Sequence, residues 1–424
     1  MRLLARWVLI LIGAFILWAA VSDNPAVWTV RNTLEYQVTR AWWSLTGEPA
    51  ASKAGYVAGR VTNRLGKAIP NAVVLLSEWD GRVHTAQTDA DGTYRIYGMP
   101  IGFYRVAAAA TGYDSVQSGG LLRGVTVRPG LQAEASFCMN PSQKKRLSPL
   151  TVPQNVDPQT LVCTSPIPGQ ALRETLKFSD TALSNLIFLY RPTQMADRPL
   201  PVLLAVYPGP VDTWECVSIG LAQAGYAVLA IGPAYGMDLS PDVDALERLV
   251  IMIRNGGMHG TDPARVAALG GSYSALLLEL LALRDPGLDA LILLGPPTDM
   301  FDFRRRFERE GFVPPFGLDR ALVALGLPSR DPLRYLNHSM VYQTRPGLPA
   351  TLVFHSYQDE IVPYQQSGLL VESLRRQGVE AELRLFEGAS HYLLEDGEAA
   401  VSIYRQTLEF LRRHGMAPFP GKEI

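Results

Sequence analysis

Val266-Ala267-Ala268-Leu269-Gly270-Gly271-Ser272-Tyr273-Ser274-Ala275 runs without a break into Leu276-Leu277-Leu278-Glu279-Leu280-Leu281. The first part is an apolar run of strand length and the last is a leucine-rich stretch of helix formers. Two glycines and a serine separate them. A chain that passes from strand to helix in so few residues forces the residue at the apex into a strained backbone conformation, with its side chain pointing outward. Its flanks two residues either side must be tiny, because strand and helix nearly touch there. Gly270 meets that demand, whereas Ser274 stands where glycine is usual. The predicted apex is Ser272.

Further apolar β-runs lie on both sides of this stretch: 201–207, 226–231, 290–294, 350–355 and 381–386. Helical patterns such as Val243–Arg254 and Ser274–Leu283 separate them. Near-continuous apolar strands alternating with helices predict a mostly parallel sheet covered on both faces. At 424 residues the chain is too long for one core. The reading divides it into a membrane segment at 1–22, a membrane-proximal stretch at 23–53, a β-sandwich at 54–140, a linker at 141–160, an α/β catalytic domain at 161–415 and a tail at 416–424.

Two later motifs join Ser272. Leu352-Val353-Phe354-His355-Ser356-Tyr357-Gln358-Asp359-Glu360-Ile361-Val362-Pro363 puts an acid just past a strand, and Leu385-Phe386-Glu387-Gly388-Ala389-Ser390-His391-Tyr392 puts a histidine after the last strand. Ser, then Asp, then His is the chain order of the α/β-hydrolase fold, which is the fold class expected here. In that arrangement His391 takes the Ser272 proton and Asp359 fixes the imidazole tautomer. Glu360 is the fallback acid. His355, the nearest rival base, sits at a strand end where a structural role is more natural.

These residues resemble the catalytic domain of the prolyl oligopeptidase family and the dienelactone-hydrolase-type esterases, from about Pro201 to Arg413. Val206-Tyr207-Pro208-Gly209-Pro210 resembles a Val-Tyr-Ala-Gly-Pro motif of the dipeptidyl-peptidase branch. That resemblance implies that the Tyr207 hydroxyl forms part of an oxyanion hole. The N–H of Tyr273, directly after the nucleophile, is the generic donor. Pro208 has no N–H, which weakens a hole built from backbone alone. The family's large β-propeller has no counterpart, so its peptide specificity does not carry over. Residues 301–342, with Arg304-Arg305-Arg306, are expected to cap the site, the arginines lying on a solvated helix face.

Between Gly55 and Met139, short β-rich runs are punctuated by turn residues at the spacing of a small antiparallel sandwich. Gly59-Arg60-Val61, 69–74, 88–94 and 100–106 resemble the carboxypeptidase regulatory-like domains. Asp89 and Asp91 read as turn residues rather than a calcium loop. No metal or cofactor is expected.

Thirty-nine basic residues against forty acidic ones give no basic surface for nucleic acid. Arg2 and Arg6 precede an uncharged apolar run from Trp7 to Val21. That run predicts export and favours an uncleaved anchor over a cleaved signal peptide. The expected location is extracytoplasmic, the periplasm in a Gram-negative cell. The cysteines are Cys138, Cys163 and Cys216. A bridge from Cys138 to Cys163 is open in an oxidising compartment, while buried, unpaired thiols are the blander reading. The expectation is an exported serine hydrolase acting on an ester or peptide-like amide, of unspecified oligomeric state. Its rival is a catalytically inactive hydrolase fold serving as a binding scaffold.

Overall fold

The structure is a computed structural model that describes residues 13–15, 17–19, 22, 24–48, 54–118, 124–142, 147, 150, 154–177, 187–194, 198–232, 238–284, 287–315 and 318–418. The chain divides into two compact units, one of residues 1–144 with 300–339 and one of 145–299 with 340–424.

The second unit is built on a nine-stranded sheet. Its strands are β1 (Gln154–Cys163), β2 (Gly169–Lys177), β3 (Ile187–Pro192), β4 (Leu200–Val206), β5 (Ala227–Ile231), β6 (Thr261–Gly271), β7 (Ala290–Leu294), β8 (Ala350–Ser356) and β9 (Ala381–Phe386). Their order is β1-β2-β3-β5-β4-β6-β7-β8-β9. The pairs β1–β2, β2–β3 and β3–β5 are antiparallel, and from β5 onward the pairing is parallel. The sheet is therefore mixed. Every residue of β4, β5 and β7 is buried. Val202, Leu204 and Val206 enter one core, while Leu203, Ala205 and Tyr207 enter another. Burial on both faces is why these strands read as unbroken apolar runs.

The antiparallel start falls partly in the expected linker, since β1 begins at Gln154. Its polar residues hide it from any pattern search. As an edge strand it tolerates them, and Pro158 sits at a shift of register between Val156 and Gln159. The cysteine reading is also corrected. Cys163 pairs with Cys216, and Cys138 is an exposed free thiol. The bond ties the end of β1 to the helix Glu215–Gln223 across 53 residues. Closing a loop of that length removes about 4 kcal/mol of unfolded-chain entropy in the simplest model.

In the first unit, the strand 54–63 pairs with strands at 93–100, 132–134 and 137–139. A second sheet joins 73–77, 83–87, 107–109 and 116–117. Val57, Tyr94 and Ile96 of the first share one core with Val74, Leu76 and Ala108 of the second. Asp89 closes a turn, accepting from the N–H groups of Asp91 and Thr93 and from the Thr93 hydroxyl. The helix Pro25–Thr46 starts on an Asn24 cap. Of the expected membrane segment, 13–15 and 17–19 are helical and the rest of 7–21 lies outside the described residues. Among the described residues, no helix is long and apolar enough to cross a membrane.

The expected cap, 301–342, largely belongs to this first unit. Charge explains the assignment. Arg309 bonds Asp80 at 2.8 Å and lies 4.6 Å over the Trp79 ring, with Trp43 against the same ring. Arg305 and Arg306 bond Asp302 and Glu310. Arg304 is not on a solvated face. It is fully buried, 2.9 Å from Glu308, 3.2 Å from the Leu322 carbonyl and 4.6 Å over the Tyr36 ring. A buried charge stripped of its partner costs about 3–5 kcal/mol, whereas replacing both members by apolar residues costs far less. Glu308→Ala should thus lower stability by that amount and the pair Arg304→Met with Glu308→Leu by clearly less, in urea titrations followed by tryptophan emission. Equal losses would contradict the buried pair.

Candidate active site

The strand β6 delivers Ser272 to the helix Tyr273–Arg284 through one residue with a left-handed backbone, φ +52°. Asn71 is the only other non-glycine residue with positive φ among those described. Such strain persists only where the surroundings impose it. Here they do. A Cβ on Gly270 would lie 2.8 Å from Leu278 Cδ1 and 3.1 Å from the Val206 carbonyl oxygen, and one on Gly271 would lie 2.7 Å from the Trp214 ring. Ser274 is fully buried, and its hydroxyl donates to the Tyr207 carbonyl at 2.8 Å. The small polar residue that departs from glycine thereby pins the helix start to the end of β4.

His391 Nδ1 lies 2.7 Å from Asp359 Oδ2. Asp359 Oδ1 accepts the N–H groups of Ile361 and Val362 at 2.9 and 2.7 Å. Burial alone would push this carboxyl up. The hydrogen bonds and charges of His355 and His391 reverse that, holding it well below the usual carboxylate range. The two loops that carry the pair are laced together. Ser356 Oγ donates to the Ala389 carbonyl, and the Gly388 N–H donates to Gln358 Oε1 at 2.9 Å. Glu360, the fallback acid, instead accepts the backbone N–H of His391.

The Ser272 backbone is tied to the residue before a glycine that lies against this pair. The Ser272 N–H donates to the Leu294 carbonyl, and the next residue, Gly295, has φ +54°. A Cβ there would lie 3.2 Å from His391 Cε1 and 3.3 Å from Asp359 Oδ2. Gly295 thus sits between the Ser272 turn and the imidazole, and a side chain there would be both strained and crowded.

Tyr207 is not presented as the resemblance implies. Its side chain is fully buried, its ring lies 5.0 Å from that of Trp214, and its hydroxyl shares a hydrogen bond with Ser218. Burial pushes the phenol well above its usual range. The hydroxyl is engaged with the helix after β4 rather than turned towards the oxyanion role that the resemblance implies. Tyr273 is the first residue of the helix that follows Ser272. Sequence reasoning missed Trp214, which carries no motif, and the contact of His355 with Asp359. It also missed Glu279 on the nucleophile helix. Glu279 is fully buried and neither carboxyl oxygen has a hydrogen-bond partner among the described residues. Burial pushes it well above the usual carboxylate range.

Comparison with known proteins follows this division. Residues 251–416 match the family model described as the Prolyl oligopeptidase family, and residues 56–140 match the Carboxypeptidase regulatory-like domain. Both resemblances read from the motifs are upheld, and the chain carries a serine hydrolase domain. No curated protein matches the chain. Similar solved structures include three of esterase 2 from Thermogutta terrifontis. The sarin-phosphonylated form is 20% identical, covers 56% of this chain and 92% of its own, and has a TM-score of 0.46. The butyrate-bound form is 20% identical over 56% and 91%, at 0.44. The tabun-modified form is 18% identical over 62% and 97%, at 0.45.

Glu279 gives a pH signature. The folded state holds its proton to higher pH than the unfolded chain, so folding binds protons and stability falls as pH rises above the ordinary Glu value of about 4.3. Relative to Glu279→Leu, the wild type should lose up to about 1.4 kcal/mol per pH unit above that point until the buried carboxyl ionises. Parallel stability profiles for the two proteins, measured by denaturation from pH 4 to 8, would refute this.

Proposed function

We propose that the chain is an exported serine hydrolase that opens an ester or peptide-like amide through an acyl-enzyme on Ser272. The observation that carries the reading is the left-handed Ser272 at the strand-to-helix turn, its N–H bonded to Leu294, with the hydrogen-bonded His391–Asp359 pair beside the next residue, Gly295. With Nδ1–H engaged by Asp359, His391 Nε2 takes the Ser272 proton as Oγ attacks the substrate carbonyl. The tetrahedral oxyanion accepts from the Tyr273 N–H. Collapse expels the alcohol or amine, which receives its proton from His391. Water, deprotonated by the same imidazole, then releases the acid and frees Ser272.

A fluorophosphonate probe should label the wild type and leave Ser272→Ala unlabelled, and Ser272→Ala or His391→Ala should lower kcat by roughly 10⁴-fold or more. A folded wild type that never labels supports the inactive scaffold instead. A panel of p-nitrophenyl esters and peptide anilides then divides the substrate classes.

We also infer that the protein works outside the cytoplasm, held at the membrane by its N-terminus. The apolar run after Arg2 and Arg6 supports this, as does the Cys163–Cys216 bond, which persists in oxidising compartments. So does a stripe of exposed apolar residues, Val30, Leu34, Val38, Trp42 and Leu45, along the helix Pro25–Thr46 on the side away from its buried Trp28, Asn32 and Tyr36. Membrane pellets should retain the protein through high-salt washing. In intact spheroplasts a membrane-impermeant maleimide should label Cys138, the exposed free thiol. Labelling only after lysis would rule out the extracytoplasmic location.

A further inference from the structure

His355 closes β8, and its imidazole is fully buried. Nε2 lies 3.0 Å from Asp359 Oδ2 and 2.9 Å from the Val362 carbonyl oxygen, and Nδ1 lies 2.5 Å from the Ser367 hydroxyl. A carbonyl oxygen only accepts, so Nε2 carries a hydrogen whatever the charge of the ring. The serine hydroxyl opposite Nδ1 can serve either state. Asp359 Oδ2 therefore faces His391 Nδ1 and the single Nε2 hydrogen of His355, which it shares with the Val362 carbonyl, while Oδ1 faces two backbone N–H groups. Four donors fill the acceptor capacity of one carboxylate.

We propose that His355 is a positioning residue for the hydrolytic reaction, sharing Oδ2 of Asp359 with His391 and so fixing both the plane of the carboxylate and the fraction of its charge that His391 receives. This rests on the Ser272–His391–Asp359 reading and adds a fourth member that touches no substrate. The effect has two parts. A carboxylate tied at both oxygens cannot rotate away from Nδ1, which keeps Nε2 aimed at the nucleophile. A carboxylate whose charge is divided between two imidazoles also stabilises the His391 imidazolium less than an undivided one. Other titratable groups around His391 among the described residues do not substitute for this. Glu360 contacts only its backbone N–H, and the Tyr392 ring stands edge-on at 5.6 Å.

The experiment compares kcat, KM and the acid limb of kcat/KM for the wild type, His355→Leu and His355→Gln, with rates normalised to fluorophosphonate-titrated sites. His355→Leu should lower kcat by roughly ten- to hundredfold with KM little changed, and should move the acid limb to higher pH by about half a unit to one unit. His355→Gln, whose amide returns an N–H near the Nε2 position, should move the limb back. A leucine variant that is slower with an unmoved limb overturns the proposal, because a purely structural histidine would behave that way. Nitrogen-15 NMR of the wild-type imidazoles gives a second reading that needs no variant to fold. Nε2 of His355 should carry a proton throughout pH 5 to 9, and an unprotonated Nε2 overturns the proposal. A wild type that neither labels nor turns over overturns the hydrolase reading itself, and any role for His355 in the reaction with it.

Discussion

A serine side chain is presented outward only if the backbone beneath it is bent the wrong way for an L-residue, and the bend must be imposed from outside. In this protein the imposition is steric. The strand β6 and the helix Tyr273–Arg284 approach so closely that the space beside Gly270 is already filled by Leu278 and the Val206 carbonyl. The strained φ of Ser272 follows from that approach. The same crowding recurs at Gly271 against Trp214 and at Gly295 against His391 and Asp359. Three glycines thus mark where the Ser272 turn, the Trp214 ring and the His391–Asp359 pair leave little room for a side chain.

The second unit handles its buried charge in two opposite ways within a short reach of this turn. Asp359 remains ionised because donors surround both of its oxygens, and their combined effect outweighs the desolvation that burial brings. Glu279 has no donors among the described residues, and burial alone pushes it well above the usual carboxylate range. One carboxyl is a fixed negative charge and the other an uncharged polar group in an apolar helix interior. Both are acids in buried surroundings, and only the count of hydrogen-bond donors separates them. Arg304 in the first unit is a third solution, a buried cation set against Glu308 and an aromatic face.

What the amino-acid order makes legible follows from which forces are local. The strands β4, β5 and β7 are buried on both faces, so each carries its signal within five to seven residues, and Ala290–Leu294 is found where the pattern places it. The turn at Ser272 is equally local, and its demand for Gly270 can be read directly. The edge strand β1 is not, because it is recruited by pairing with β2 and needs no apolar face of its own. The partner of Cys163 lies 53 residues away, and nothing near either cysteine encodes that distance. The assignment of 300–339 depends on Asp80, Trp79 and Tyr36, all more than 200 residues distant in sequence. Tyr207 failed for a related reason. A motif fixes where a residue sits on a strand, but the neighbours Ser218 and Trp214 decide where its ring goes.

The enclosure of Tyr207 bears on which substrates the site suits. Its carbonyl is held by Ser274 and its hydroxyl by Ser218, so the residue is fixed from both ends. Pro208 and Pro210 contribute no N–H to the loop that follows, leaving Gly209 and Val211 as its only amides before Asp212. In the proposed reaction the developing oxyanion is met by backbone groups, Tyr273 first among them, with the Tyr207 hydroxyl turned to Ser218. Removing one donor of this kind typically costs about 10²–10³ in rate. An amide, with its poor leaving group and more stable carbonyl, has less margin for that loss than an ester. Within the proposed acyl-enzyme route on Ser272, the packing of one tyrosine therefore favours ester cleavage over peptide cleavage.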